Sequence, residues 1–191
     1  KVTEPEIAPG WRSAGLILPD ADKVGNGGGG LHRMTHIGPI LFAMDAYMPA
    51  NAPPSRLYQW RIWQGRAGSS QWAQLKLPGG EIPNEWYASE DKLFIGTKYS
   101  GRVLVYSPST SQWDSLKFGL DSLYRDSLPG VESIAGFKGK IFVSVGQSAG
   151  KDNFCWYGSS IGLDGKRVPC AGARKTLPLA SMVEFGDALY G

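Results

Sequence analysis

Little in this chain of 191 residues marks it for metal chemistry, for a membrane helix or for nucleic acid. It has two histidines, His32 and His36, and two cysteines, Cys155 and Cys170, with no CxxC pair. Zinc or redox motifs of the CxxC type are therefore excluded. No run of lysine or arginine exceeds two residues and the net charge is only +3, so the basic footprint of a nucleic-acid binder is missing. The longest uncharged apolar stretch, GPILFAM from Gly38, falls far short of the roughly 20 residues that a bilayer-spanning helix needs. There is no Asn-x-Ser/Thr sequon; Asn153-Phe154-Cys155 offers only the rare cysteine form. The glycine run after Asn26 is followed by no Gly-Lys-Ser/Thr, which excludes a phosphate loop.

What the chain does have is 42% apolar residues, 12% aromatics and 26 glycines, a composition suited to many short strands joined by tight turns. The length is that of one large domain. The first residue is Lys1, as in a mature chain whose signal peptide has been removed, and equally as in a trimmed piece.

One block recurs four times: HRMTHIGPILFAM from His32, NEWYASEDKLFIG from Asn84, ESIAGFKGKIFVS from Glu132 and ASMVEFGDALYG from Ala180. Aligned on Leu41, Leu93, Ile141 and Leu189, the anchors step by 52, 48 and 48 residues. An aromatic follows each anchor (Phe42, Phe94, Phe142, Tyr190), and seven residues before it stands Met34, Trp86, Ile134 or Met182. Between the two apolar stretches lie turn pairs, Gly38-Pro39, Glu90-Asp91, Lys138-Gly139 and Gly186-Asp187. Each block thus predicts a strand A, a two-residue turn and a buried strand B. A fixed period near 50 is the signature of a blade-type repeat.

The other half of the repeat is visible too. RVLVY from Arg102 predicts a strand C and QWDSLKF from Gln112 a strand D, with the first repeat ending in a matching WRIWQGRAGSSQWAQLKL. GWRSAGLILP from Gly10 reads as a lone strand D. The expected fold is all-β, a β-propeller of four-stranded blades in partial-ring form. Residues 1–29 supply the lone strand and a glycine-rich loop, 30–78 blade one, 79–125 blade two, 126–179 blade three and 180–191 the start of a fourth. Three blades do not close a ring. The chain would then be a fragment, one half whose remainder is a second chain, or a unit whose copies combine.

GFKGKIFVSVG from Gly136 resembles the inner hairpin of kelch-type propeller repeats, and VLVYSPSTSQW resembles their outer part, with Tyr106 and Trp113 seven positions apart. The paired glycine of the kelch motif is replaced by Met44-Asp45, Gly96-Thr97 and Ser144-Val145-Gly146, so the repeat is a degenerate one. The resemblance covers most of residues 30–191. It implies the architecture and says little of function, because the fold hosts unrelated activities.

Propeller geometry puts the D–A and B–C connections at one end of the blades and the A–B and C–D turns at the other. The first set is long (residues 19–30, 47–56, 78–83, 119–130 and 147–153), and long loops on a rigid scaffold are where binding sits. Tyr47, Tyr99, Tyr124, Arg125 and Asp152 are the candidate ligand-binding residues there, since tyrosine and arginine are enriched at contacts. In PDADKVGNGGGG, Asp20, Asp22 and Asn26 offer oxygen ligands for calcium, although the spacing departs from an EF-hand and no glutamate closes the loop. The plainer reading is a flexible connector. No cofactor is expected other than that calcium.

His32 and His36 on one strand lie about 13 Å apart at ~3.3 Å per residue, too far to share an ion. His36 is expected to pack near the turn and His32 to face solvent. Cys155 and Cys170 flank the third C–D hairpin, where they form a disulfide if their Cα atoms lie within about 7 Å, or remain two thiols. Trp11, Trp72 and Trp113 recur with strand D, which favours packing between blades over a sugar site. Kelch-like propellers include copper radical oxidases of the galactose-oxidase type, which need two histidines, two tyrosines and a cysteine joined to a tyrosine. Cys155 stands beside Trp156 and Tyr157, but on an expected outer strand, with the histidines in another blade, so the set does not transfer. No sialidase Ser-x-Asp-x-Gly-x-x-Trp box occurs either.

The expected function is a secreted or cell-surface recognition or scaffold module that binds protein or glycan through its long loops, leaning away from an enzyme. The expected partners are that protein or glycan and whatever completes the ring, with no nucleic acid and no membrane span. The alternatives are the N-terminal half of a propeller enzyme, an oxidase or hydrolase, and a structural subunit of a surface assembly.

Overall fold

The computed structural model describes residues 31–47, 59–116, 130–145, 154–159, 166–168 and 181–191. The expected strand at Gly10–Pro19 lies outside them. The described residues are all-β, with a single 3-10 turn at Pro78–Gly80. They form three four-stranded antiparallel sheets and one two-stranded sheet, each open. Two compact units divide the chain, residues 1–76 and 77–191.

In the first unit, β1 (Leu31–Ile37), β2 (Ile40–Tyr47), β3 (Gln59–Arg66) and β4 (Trp72–Leu75) lie side by side in chain order. In the second unit, β5 (Pro83–Ala88), β6 (Leu93–Thr97), β7 (Val103–Ser107) and β8 (Gln112–Leu116) repeat that meander. So do β9 (Val131–Phe137), β10 (Lys140–Val145), β11 (Phe154–Ser159) and β12 (Lys166–Val168). β13 (Val183–Phe185) and β14 (Ala188–Tyr190) form the two-stranded sheet.

The repeated block is one hairpin in one register. Leu41 pairs with His36, Leu93 with Ala88, Ile141 with Gly136 and Leu189 with Glu184, always the residue five positions earlier. The four turns are made differently. Gly38, Gly139 and Gly186 supply left-handed φ values of 55°, 70° and 59°, and Lys138 joins Gly139 with 48°. Paired positive φ values of that kind match the right-handed twist of a hairpin. Glu90-Asp91 has no positive φ; there Ser89 N–H donates to Lys92 O (2.9 Å) and Ser89 Oγ accepts from Lys92 N–H (3.2 Å).

A second feature repeats that the pattern of residue types conceals. The first strand of each four-stranded sheet carries a β-bulge, between Leu31 and Arg33, between Pro83 and Glu85, and around Glu132, where Val131 pairs with Val145 and Ser133 with Ser144. The bulged residues His32, Asn84 and Glu132 occupy one repeat position and are polar every time. A bulge bends a strand and re-aims a side chain.

Inside the second unit the sheet β5–β8 packs face to face on β9–β12. Phe94, Val103, Val105, Leu116, Val131, Ile134, Ile141, Val143 and Val145 form one core, with Tyr87 against it. β6 is buried along its whole length, which is why LFIGT does not alternate. The sheets approach closely at two glycines. A Cβ on Gly96 would strike Val131, and one on Gly136 would strike the Tyr87 hydroxyl. Along this face the first strands stand next to one another, β5 beside β9 and β9 beside β13.

Candidate functional site

The end of the sheets where first strands begin and second strands finish is where the long loops were expected. In the second unit the described residues there are Asn84, Lys98, Tyr99, Gly130 and Glu132. Asn84 Nδ2 crosses to the next sheet and donates to Val131 O at 2.7 Å. Lys98 N–H donates to Ile82 O at 2.8 Å, and Lys98 O lies against Gly130, so closely that a Cβ there would clash. The Lys98 ammonium sits 5.6 Å from the centre of the exposed Tyr99 ring. Glu132 is half-buried. Burial pushes its carboxyl above the usual carboxylate range, and the Lys98 ammonium draws it partway back. Asn84, Lys98 and Glu132 escape sequence reasoning because only the bulge and the fit of the two sheets bring them to one place. The polar residue at each bulge was the available signal.

Beside Lys98, Thr97 is fully buried and holds the connection to β7. Its Oγ1 lies 2.6 Å from Ser100 Oγ, donates to Arg102 O (3.1 Å) and accepts from Arg102 N–H (3.0 Å).

In the first unit the corresponding position is Asp45, also buried. It accepts from Arg61 Nε (3.2 Å) and Trp63 Nε1 (2.9 Å), and its second oxygen meets Arg61 Nη2. The guanidinium also lies 5.3 Å from the Trp63 ring centre. A charge taken out of water needs such complete satisfaction, and this one has an ion pair and an indole. His32 is exposed with its ring 4.7 Å from Trp60, and His36 is exposed with Nδ1 3.4 Å from Gly38 O beside the turn.

The opposite end of the second unit holds a cleft of about 470 Å³ between the hairpin turns. Tyr87, Phe94, Phe137 and Ile141 form its apolar lining, with Asp91, Lys92 and Glu184 among its charged residues. Lys138, another lining residue, contacts Asp187 through Oδ1 (3.6 Å) and the carbonyl (3.1 Å). Tight turns gave no hint of it in sequence; it arises where neighbouring hairpins face each other.

Of the loop aromatics, Tyr99 stands in the cluster described, and Tyr47 is the last residue of β2. Tyr124, Arg125, Asp152 and the calcium candidates Asp20, Asp22 and Asn26 lie outside the described residues. So does Cys170. The backbone places Cys155 on β11, opposite Ser144 on one side and Val168 on the other. Of the repeated tryptophans, Trp11 lies outside the described residues. Trp113 packs on Tyr106, its cross-strand partner, at 4.7 Å between ring centres, and Trp72 lies across Gly65, its partner, with ring atoms 2.7 Å from a Cβ placed there. Partners seven residues apart thus face each other across the third and fourth strands of one sheet.

Among the described residues no three His, Cys, Asp or Glu side chains gather as a metal site, and no helix is long and apolar enough to cross a membrane. No protein-family model and no curated protein sequence matches the chain.

Proposed function

We propose that the chain is a segment of a kelch-like β-propeller that serves as an extracellular or cell-surface recognition module. It binds protein or glycan at the loop end of its blades. The observation that carries this reading is the recurrence of one hairpin register in all four sheets and of one bulge position in the three four-stranded ones, with the first strands β5, β9 and β13 of the second unit as neighbours. Sheets stacked face to face with first strands adjacent are the building plan of propeller blades. The bulge delivers a polar residue to the loop end of each four-stranded sheet, and Lys98, Tyr99 and Glu132 at that end of the second unit combine a cation, an aromatic face and a carboxyl. Such mixed surfaces suit contact with polar macromolecules.

The test is a glycan array together with pull-down from cell-surface extracts, run with the wild type and a Lys98→Ala/Tyr99→Ala double variant. Specific binding that the double variant loses supports the loop end. Binding that survives in this variant but disappears in Phe137→Ala moves the site to the turn-end cleft. Absence of any specific ligand in both assays counts against a recognition module.

A further inference from the structure

The packing of β5–β8 on β9–β12 defines two complementary faces. The receiving face belongs to the first hairpin of the earlier sheet and presents Tyr87, the aromatic Phe94 and the bare Gly96. The donating face belongs to the first strand of the later sheet and presents Val131, Ile134 and the bare Gly136. Both faces are covered where they meet, with Phe94 and Val131 inaccessible to water.

The repeat assigns the same faces elsewhere. On β13–β14 the receiving positions of Tyr87 and Phe94 are taken by Val183 and Tyr190, which pair across the hairpin and are 62% and 56% exposed. Phe185, on the same side as Val183, is 75% exposed. On β1 the donating positions of Val131 and Ile134 are taken by Leu31 and Met34, 50% and 48% exposed. In β5 the equivalents Pro83 and Trp86 are buried. Among the described residues, one chain therefore exposes apolar side chains at the receiving positions of one hairpin and at the donating positions of another. Exposed apolar clusters at such positions mark interaction surfaces.

We infer that β13–β14 of one copy of this chain receives β1 of a second copy, head to tail, repeating the contact that β5–β6 makes with β9. The inference rests on the blade-type packing proposed above. A surface and its complement on one chain make a heterologous contact, which builds a ring if the rotation closes and an open string if it does not.

The experiment is light scattering on size-exclusion eluates of the chain across a concentration series. It uses Phe185→Glu to block the receiving face and Met34→Glu to block the donating face. Both side chains are exposed, so each variant should keep the wild-type circular dichroism and unfolding midpoint. The wild type should exceed the mass of one chain, increasingly with concentration, and each variant alone should remain a single chain. An equimolar mixture of the two should form dimers and nothing larger, because one intact pair of faces survives between them. A wild type that stays monomeric overturns the inference, leaving these faces to the chain itself or to a different protein. So does an assembly that neither variant disturbs, or a mixture that forms no dimer. Gly136→Val separates this failure from that of the packing reading. If it leaves the unfolding of the second unit unchanged, the sheet packing itself is wrong; if it destabilises while the wild type is monomeric, only the self-association fails.

Discussion

The sheet of β1–β4 and the sheet of β5–β8 begin from the same hairpin and part company four residues after the anchor. There the first has Asp45 and the second Thr97, both buried, Thr97 as the last residue of β6 and Asp45 two residues before the end of β2. Asp45 is fastened across the sheet by a guanidinium and an indole; Thr97 is fastened to its own turn by Ser100 and the backbone of Arg102. The connections explain the difference. Only residues 98–102 separate β6 from β7, so a hydroxyl reaches its turn directly. Residues 48–58 separate β2 from β3, and the strand end is held by its neighbour in the sheet instead. One scaffold position thus serves a five-residue turn or an eleven-residue connection according to which polar group it holds. The second contrast is in what covers the sheets. β5–β8 shares a core with β9–β12 inside its unit, whereas the first unit contains one described sheet and leaves Met34 exposed.

The largest expected effect breaks the charged version of this position. Asp45→Ala strands the Arg61 guanidinium and the Trp63 N–H, and should cost about 3 kcal/mol, seen as a lower urea midpoint. Asp45→Asn, which keeps an acceptor for Trp63, should recover part of that loss. Next comes the shared core. Gly136→Val drives two methyl groups into the Tyr87 ring and should cost ~2 kcal/mol in the second unit, read by hydrogen exchange of β6 and β10 amides. The hydroxyl version is weaker: Thr97→Val leaves Arg102 N–H without its acceptor and should cost ~1–2 kcal/mol by the same measure. If Thr97→Val proves as costly as Asp45→Ala, the distinction between turn fastening and cross-sheet fastening falls.

The smallest effect concerns Glu132. Its folded carboxyl holds a proton more tightly than the unfolded one, so its contribution to stability is complete below the ordinary value of 4.5 and is lost as pH rises above it. Glu132→Gln should remove that slope and slightly raise the unfolding midpoint at neutral pH. Lys98→Met, which deletes the partner that favours the ionised form, should steepen it. Urea titrations at a series of pH values would show both.

The hairpins were legible because their information is local. An apolar run, a turn pair and an aromatic after Leu41, Leu93, Ile141 and Leu189 specify strand, turn and register within about a dozen residues. Strands three and four followed from Val103–Ser107 and the Ser-Gln-Trp repeats for the same reason. The Asp45 ion pair was not legible: Asp45 and Arg61 lie on different strands, and only the pairing of β2 with β3 sets them opposite each other. The bulge at His32, Asn84 and Glu132 was half legible, as a repeated polar position whose meaning needed the register. The turn-end cleft left no mark at all, since residues from different hairpins line it.

By itself the sequence determined an all-β chain of repeated meanders, because period, turn residues and alternating burial act over neighbouring residues. The tertiary structure decided which groups meet: Asn84 with the Val131 carbonyl across two sheets, Tyr87 against the bare Gly136, and Arg61 on Asp45, with apolar side chains exposed on β1 and β13–β14. Contacts between distant segments depend on how twisted sheets fit together, and that fit is a property of their surfaces and not of any one segment.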